Sequence, residues 1–426
     1  MAAAPKPNQR LHTETKPENR TEAERDHDRI LYTSALQRLA GITQIAAPES
    51  GPTIHNRLTH TLKVSQVARR LAKRLNLNAA RQETAAAALA HDLGHPPFGH
   101  LAEKVLNEQA KAWGGFEGNA QSFRIVAFLA LRTTDYRGLN LTRRTLNGIL
   151  KYPWLQDVSD ARKSEKWGAY ETEKSIFDFA RKGATVDEKS VEAAMMDWAD
   201  DVTYAVHDLE DFFRLGLIPL DRLVDADGGE RKRFFASFDD PDKPGVLRPK
   251  FTDFKPDELQ AAMEYLFSGP LLSIEPYRGS RQDRTNLRSQ TSFLIGRFVQ
   301  AASLDKTEPL VIAHEQRAEV AVLKELAWYY VVTDPSLSTI QQGQRCVISE
   351  LHKTYTRAVD DSQAGWQLFP LAQRELLPHL TKGSERRRLA TDFVAGLTED
   401  MAYELHHRLT GVSRGSILDA PARASR

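Results

Sequence analysis

The segment LAHDLGHPPFGH, residues 89–100, concentrates three histidines and an aspartate in one place. It holds His91, Asp92, His95 and His100, whereas the whole chain of 426 residues has only 13 histidines. The alanine-rich run before it has high helix propensity, and the glycine and two prolines that follow end helices. We therefore predict that His91 and Asp92 lie at the C-terminal end of a helix, where a rigid loop begins.

The segments around this one carry helical patterning. Residues 61–75, TLKVSQVARRLAKRL, and residues 188–215, EKSVEAAMMDWADDVTYAVHDLEDFFRL, place apolar side chains at helical spacing along one side. Alternating strand patterns are scarce. Residues 220–257 are rich in turn-forming residues and predict a loop before a second helical half. The fold class expected is all-α.

Composition excludes several classes of protein. Lys and Arg total 58 and Asp and Glu total 57, so the formal charge of +1 gives no global reason for binding to nucleic acid or a membrane surface. The single cysteine, Cys346, excludes an internal disulfide and a cysteine-rich zinc site. No apolar run approaches the roughly 18 residues of a membrane helix, and the N-terminus has no signal-peptide pattern. We expect a soluble, cytoplasmic protein.

Three segments can converge on a metal ion. His60 lies at the start of the first patterned helix, His91 and Asp92 end the next, and the long helix offers Asp200 or Asp201. Imidazole and carboxylate ligands together suit Mn²⁺, Fe²⁺, Co²⁺, Ni²⁺ or Mg²⁺. A His-Asp pair alone is common by chance, and a histidine at a helix end often only contacts the last carbonyls. The combination of the three segments favours the metal site.

The chain resembles the HD-domain deoxynucleoside triphosphate triphosphohydrolases, which include bacterial dGTPases. Six segments match family motifs in the family's order and span most of the chain: DHDRILYTSALQRLAGITQI, NRLTHTLKVSQVARRLA, LAHDLGHPPFGHLAE, FEGNAQSFRIV, ADDVTYAVHDLED and DFVAGLTEDMA. We predict a disordered or extended N-terminal tail over residues 1–24, and the resemblance implies an HD-domain core over residues 25–215. It also implies a helical region over residues 216–426 that packs with the core, completes the substrate pocket and mediates oligomerisation.

The resemblance also implies roles for individual residues. The metal ligands would be His60, His91, Asp92 and Asp200. The catalytic group would be His100 as acid or base, oriented by Glu103, with His95 facing the triphosphate. The substrate-binding residues would be Gln44 at the sugar or base, Arg57 at the phosphates, Asn119 in a polar cluster, Tyr204 under the deoxyribose and Asp208 at its 3′-hydroxyl.

Helical spacing supports part of this assignment, because Asp200, Tyr204 and Asp208 follow one another at steps of four and share a helix face. We expect the three to line one groove. For Tyr204 alone, core packing would be the more common role of an aromatic residue in a helix. Crowding at Tyr204 would disfavour a ribose 2′-hydroxyl.

The activity implied is metal-dependent hydrolysis of deoxynucleoside triphosphates, dGTP among them, to deoxynucleoside and inorganic triphosphate. Mn²⁺ or Mg²⁺ is the expected ion, with Fe²⁺, Co²⁺ or Ni²⁺ as alternatives. By resemblance the chain forms a homo-oligomer, a hexamer or tetramer, and responds to a dNTP effector. No membrane partner is expected.

Two other function classes stay open. One is a phosphodiesterase or phosphatase of the wider HD superfamily, which would release a monophosphate or orthophosphate. The other is a nucleotide sensor or single-stranded DNA-binding protein without turnover, although the intact ligand set argues against it. The arginines between Arg278 and Arg288 lie in a polar segment that we predict to be poor in helix. They are either a solvated surface or a phosphate-binding patch for an effector or a neighbouring subunit.

Overall fold

The computed structural model describes residues 6–14, 19–44, 55–225, 228–267, 276–333 and 335–412. Over these residues the fold is all-α, and its β-structure consists of two antiparallel two-stranded sheets and two isolated β-bridges. The predicted fold class is confirmed.

Within the described residues, the N-terminal half contains ten α-helices. They are α1 (Glu22–Leu31), α2 (Ser34–Arg38), α3 (Arg57–Arg74), α4 (Arg81–Ala90), α5 (His100–Ala110), α6 (Gly118–Arg124), α7 (Arg143–Ile149), α8 (Ala161–Glu165), α9 (Lys174–Arg181) and α10 (Val191–Arg214).

In the part of the C-terminal half that the structure describes there are ten further α-helices: α11 (Leu220–Val224), α12 (Gly229–Ala236), α13 (Pro256–Phe267), α14 (Arg281–Gln300), α15 (His314–Ala327), α16 (Pro335–Asp360), α17 (Ser362–Trp366), α18 (Leu371–Leu376), α19 (Gly383–Ala395) and α20 (Glu399–Leu409). The strands are β1 (Asp239–Asp240) paired with β2 (Lys243–Leu247), and β3 (Ala302–Ser303) paired with β4 (Val311–Ile312).

Side-chain caps define where the two longest helices of the N-terminal half begin. Asn56 caps α3 because its side chain accepts a hydrogen bond from the Thr59 backbone N–H, and the Thr59 hydroxyl accepts one from the Asn56 backbone N–H. Ser190 caps α10 in the same position. Because these caps satisfy free backbone donors, they set the register of the side chains that follow. His60 consequently lies on the first turn of α3.

Helix α4 is the centre of the N-terminal half. It contacts α1, α3, α7 and α10, and its small side chains are completely buried: Ala85, Ala86, Ala87, Ala88 and Ala90. Alanines allow helix axes to approach closely, and burying them orders no flexible side chain. The end of α4 therefore points between α3 and α10.

Buried arginines of α2 and α6 join the C-terminal half to the N-terminal half. The Arg124 guanidinium, at the end of α6, donates to both Asp392 oxygens of α19 and also contacts Glu173, and all three side chains are buried. Arg38 donates to the carbonyl of Leu397, 3.1 Å away. These contacts fix the C-terminal helices against the segment that follows α4.

Residues 6–14, within the predicted tail, lie against α1 and α7. Arg10 Nη1 lies 2.5 Å from Asp26 Oδ1, and the Arg143 backbone N–H donates to the Gln9 carbonyl at 2.8 Å. Helix α1 begins at Glu22, three residues before the predicted start of the core.

Two local predictions are wrong. Residues 220–257 are not only loop, because α11, α12 and the β1–β2 hairpin form there with Phe234 and Phe238 buried in the core. The arginine cluster is not helix-poor, because α14 begins at Arg281 behind a capping box formed by Ser280 and Asp283. In both segments, tertiary burial and capping outweigh the turn-rich local composition.

No helix among the described residues is both long and apolar enough to cross a membrane.

Replacing Arg124 with Met is expected to destabilise the protein by about 3–5 kcal/mol, because Asp392 and Glu173 would stay buried without their cation. Urea unfolding followed by circular dichroism measures this. The matched control is Arg387→Met, which breaks a pair with Asp360 whose side chains are both about 42 % exposed and should cost less than about 1 kcal/mol. Equal losses for the two variants would contradict the role of the buried cluster.

Candidate active site

The end of α4 presents an imidazole nitrogen that is suited to a metal ion. His91 caps the helix, and its Nδ1 lies 2.7 Å from the Ala88 carbonyl oxygen, to which only a protonated nitrogen can donate. In the neutral ring, Nε2 therefore carries the lone pair. This buried Nε2 has no hydrogen-bond partner among the described residues. It lies 3.4 Å from Asp92 Oδ1 and 3.6 Å from Asp200 Oδ1.

Helices α3 and α10 bring two further side chains to this point. His60 Nε2 lies 3.0 Å from Asp200 Oδ1, and the His60 and His91 rings are 5.8 Å apart between centroids. Asp201 instead pairs with Lys324 at 2.8 Å. The structure thus brings Asp200, and not Asp201, to the two imidazoles. Ligand atoms of His60, His91 and Asp92 lie within 4.8 Å of one another.

The electrostatics of this cluster favour ionised carboxylates. Burial alone would raise the pKa of Asp92, but His91, His95 and Arg57 hold it well below its usual range. Burial likewise opposes ionisation of Asp200, and a nearby lysine and His91 lower its pKa well below the usual range. Two anionic carboxylates and two imidazoles are a donor set that fits a divalent cation.

Arg57 and His95 hold the Asp92 carboxylate from two sides. Arg57 Nη1 donates to Asp92 Oδ2 at 2.9 Å, and His95 Nδ1 lies 3.0 Å from Asp92 Oδ1. Arg57 is the first residue of α3, and His95 belongs to the loop after α4. The carboxylate therefore fixes the loop against the start of α3.

Two glycines allow this loop to pack closely. A Cβ on Gly94 would lie 2.1 Å from the Gly118 carbonyl oxygen, so the loop rests directly on the start of α6. Phe98 and Gly99 both adopt positive φ angles, of 65° and 57°, which are unfavourable for phenylalanine. The Phe98 ring contacts Tyr403 of α20, with centroids 5.1 Å apart. Packing against the C-terminal half thus stabilises a strained turn.

His100 and Glu103 occupy the first turn of α5, directly after this turn. Desolvation lowers the pKa of His100 to about 4, and Glu103 only partly offsets it. Burial disfavours the Glu103 carboxylate, but His95 and Lys166 lower its pKa to about 2. The Gly118 N–H donates to Glu103 Oε1 at 2.8 Å. Near pH 7 the pair is a neutral imidazole beside a carboxylate.

These side chains open into one cavity of about 660 Å³. The residues of the predicted site that line it are Gln44, Arg57, His91, Asp92, His95, His100, Glu103, Asn119, Asp200 and Tyr204. His60 lies behind this wall, in contact with Asp200.

Asp208 is not in the lining, contrary to the expectation of one shared groove. It lies one turn beyond Tyr204 on α10, is 4 % exposed, and its Oδ2 has no partner among the described residues. Burial and the neighbouring Asp211 raise its pKa well above the usual range. Over eight residues the α-helix rotates enough to move this side chain from the cavity wall into the core.

Three lysines of the cavity were not predicted as site residues from the sequence. Lys151 pairs with Asp197 at 2.8 Å and with Asp200 at 3.3 Å, and Lys166 pairs with Glu117 at 2.9 Å. Lys324 of α15 lies 5.8 Å from the centre of the Tyr204 ring. All three line the cavity. Lys151 and Lys166 belong to segments without helical periodicity, so no local signal marks them.

Comparison with known families assigns two regions of the chain. The HD domain matches residues 57–205, and the phosphohydrolase-associated domain matches residues 310–408. The first match spans α3 to α10, which together carry the metal-binding candidates. HD domains bind divalent metals, in agreement with the cluster of His60, His91 and Asp92.

Three curated relatives are similar over nearly the whole chain, and each is described as a deoxyguanosinetriphosphate triphosphohydrolase-like protein. The Streptomyces coelicolor protein is 38 % identical, with 92 % of this chain and 93 % of the relative covered. The Corynebacterium efficiens protein is 35 % identical, with 96 % of each covered. The Vibrio cholerae relative, described as deoxyguanosinetriphosphate triphosphohydrolase-like protein 2, is 40 % identical, with 94 % of this chain and 91 % of the relative covered. The chain therefore belongs to the deoxyguanosinetriphosphate triphosphohydrolase-like family and is a metal-dependent phosphohydrolase of the HD-domain class.

Proposed function

We propose that this protein hydrolyses deoxynucleoside triphosphates, dGTP among them, to deoxynucleoside and inorganic triphosphate. The observation that carries the proposal is the position of the buried His and Asp cluster, which opens into a cavity lined by Arg57, Lys151, Lys166 and Lys324. Its volume falls within the roughly 300–1,000 Å³ of small-molecule sites. Positive side chains around a metal cluster suit the negative charges of a triphosphate.

His60, His91, Asp92 and Asp200 would hold the divalent ion. When bound, the ion supplies a Lewis acid that polarises a phosphoryl oxygen and offsets phosphate charge. The Nε2 lone pair of His91 is available to it because Nδ1 is engaged by the Ala88 carbonyl. Mn²⁺ or Mg²⁺ is proposed because two of the four ligands are carboxylates, which suit these ions.

His100 is proposed to protonate the leaving group. Water adds to the α-phosphorus, the bond between this phosphorus and O5′ breaks, and O5′ takes a proton from His100. The proton that the attacking water loses leaves to solvent, from which His100 is protonated again. His100 is neutral in the free protein near pH 7, because its pKa is about 4. A triphosphate in the cavity adds negative charge beside the imidazole and raises this pKa. Glu103 acts in the same direction, since its carboxylate stabilises the imidazolium.

Contacts to the nucleoside are assigned to the remaining residues. Tyr204 would pack under the deoxyribose, and Gln44, whose Oε1 is buried without a described partner, would contact the sugar or base. Asp208, which the resemblance assigns to the 3′-hydroxyl, lies behind the cavity wall with a buried Oδ2 that has no described partner, so this role stays a prediction from the sequence. Asn119, bonded to Glu117 through its side-chain N–H, would contribute to the polar wall.

The alternative functions use the same ion cluster and differ in their product. A phosphodiesterase or phosphatase would release a monophosphate or orthophosphate, and a nucleotide sensor or single-stranded DNA-binding protein would release nothing. Tyr204 in the cavity wall beside Lys324 favours a nucleoside triphosphate as the ligand.

A second cavity supports the proposal of a dNTP effector. Arg281, Arg284 and Arg288 repeat along one face of α14 and, with Arg214 of α10, line a space of about 980 Å³. Guanidinium groups at this spacing suit phosphate oxygens. A homo-oligomer of four or six chains, cytoplasmic location and binding of single-stranded DNA stay predictions from the sequence.

The first experiment is to incubate the protein with each dNTP and rNTP plus Mn²⁺ or Mg²⁺ and to separate the products by ion-exchange chromatography. Deoxynucleoside and intact triphosphate are expected from the dNTPs. The double variant His91→Ala, Asp92→Ala should lose more than about 100-fold in rate, because even outer-shell partners of metal ligands change activity by about 10- to 100-fold. The control is His379→Ala, at an exposed histidine. Monophosphate or orthophosphate as the product would refute the proposal.

Tyr204→Ala should weaken discrimination against the ribose 2′-hydroxyl, because the ring that crowds this position is removed. The ratio of kcat/KM for dGTP over GTP is expected to fall by about 10- to 100-fold, in the range of steric discrimination in enzyme pockets. Tyr204→Phe keeps the ring and should retain the ratio. An unchanged ratio in the alanine variant would exclude Tyr204 from sugar selection.

The pH profile of kcat tests the acid role of His100. Activity that needs protonated His100 is lost as the pH rises through the pKa of this group in the substrate complex. Removing the Glu103 charge in Glu103→Gln lowers that pKa, so the alkaline limb of the profile should move to lower pH. Glu108→Gln, at an exposed position of the same helix, should leave it in place. A limb that stays fixed or moves upward in Glu103→Gln would argue against the pair.

A further inference from the structure

A second group of potential ligands lies beside the metal-binding candidates. His95, His100 and Glu103 each offer one ligand atom, and these atoms all lie within 4.8 Å of one another. All three side chains line the same cavity. Two imidazoles and one carboxylate form the donor set of many zinc sites, in which the remaining position is open to water or substrate. The first group, by contrast, has two imidazoles and two carboxylates.

The surroundings hold this second group in place. Nδ1 of His95 faces Asp92, 3.0 Å from Oδ1, and the ring meets the His100 ring edge-on at 5.4 Å between centroids. His95 thus stands between the two groups. Glu103 is 7 % exposed, and Oε1 is fixed by the Gly118 N–H, which leaves Oε2 for another partner.

Gly118 makes room for the group. A Cβ at this position would lie 2.3 Å from Glu103 Oε1 and 3.7 Å from His95 Cε1. Any side chain at residue 118 would therefore displace the carboxylate from its place between the imidazoles and α6. The backbone of α6 approaches Glu103 closely enough to orient it only because residue 118 is a glycine.

We propose that His95, His100 and Glu103 bind a second divalent cation, with Zn²⁺ as the best-matched ion. The imidazole lone pair of His100 and the Glu103 carboxylate bind the ion at the same time. Excess Zn²⁺ should then inhibit hydrolysis, because His100 can no longer carry a proton to the leaving group. This inhibition rests on the proposed function, whereas binding of the ion does not.

The test is equilibrium dialysis of the metal-free full chain against Zn²⁺, with elemental analysis of the bound metal. Two ions per chain are expected. Glu103→Gln and His100→Ala should each weaken binding of one ion at least tenfold and retain the other, and the retained ion shows that the variant is folded. His60→Ala combined with Asp200→Asn should remove the other ion and keep the one at His100. The matched control Glu108→Gln should bind two ions per chain.

A single ion in the unmodified protein would overturn the proposal. So would a second ion that both Glu103→Gln and His100→Ala bind as tightly as the unmodified protein, because that ion would belong to another surface histidine. Because the readout is stoichiometry, it stays valid if the protein hydrolyses no dNTP, which would refute the proposed function alone. Inhibition is then measured in enzyme saturated with Mn²⁺: added Zn²⁺ should lower the rate of the unmodified protein, and an unchanged rate would refute the inhibitory effect.

Discussion

The buried Asp92 carboxylate is the group on which the site depends. One of its oxygens accepts a hydrogen bond from Arg57, and the other lies 3.0 Å from His95 and 3.4 Å from His91. These partners come from the start of α3, the end of α4 and the loop that follows. A buried carboxylate without such partners would be costly. The ionised carboxylate therefore has two effects: it holds these three segments together, and it supplies negative charge for a cation.

The C-terminal half contacts the same loop and contributes to the cavity wall. Arg38 donates to the carbonyls of Leu93 and His95 in the loop and to Leu397 beyond α19. The phosphohydrolase-associated region contributes Lys324 and Gln344 to the cavity wall. Neither half encloses the cavity alone. This explains why a destabilised interface, as in Arg124→Met, is expected to affect the site as well as the stability of the fold.

The two titratable groups at the start of α5 have pKa values that are displaced for different reasons. His100 is neutral because desolvation disfavours its cation, whereas Glu103 stays ionised because His95 and Lys166 outweigh its burial. Such a pair can take up or release a proton when the charge of a ligand changes. The same lone pair and carboxylate are also metal donors, so acid–base chemistry and binding of a second ion would exclude one another.

The sequence by itself determined the all-α class and the end of α4 before His91, because periodicity and helix-ending residues act locally. It predicted His60, His91 and Asp92 as ligands, and the structure brings their ligand atoms within 4.8 Å of one another. Resemblance and helical register then selected Asp200, and the structure places it beside both histidines. Only the tertiary structure brought Lys151 and Lys166 into the cavity and moved Asp208 behind its wall. The positions of the lysines depend on contacts between segments far apart in the chain, which no local pattern records. That of Asp208 follows from the rotation along α10 together with the helices that pack on it, and only the packing requires the tertiary structure.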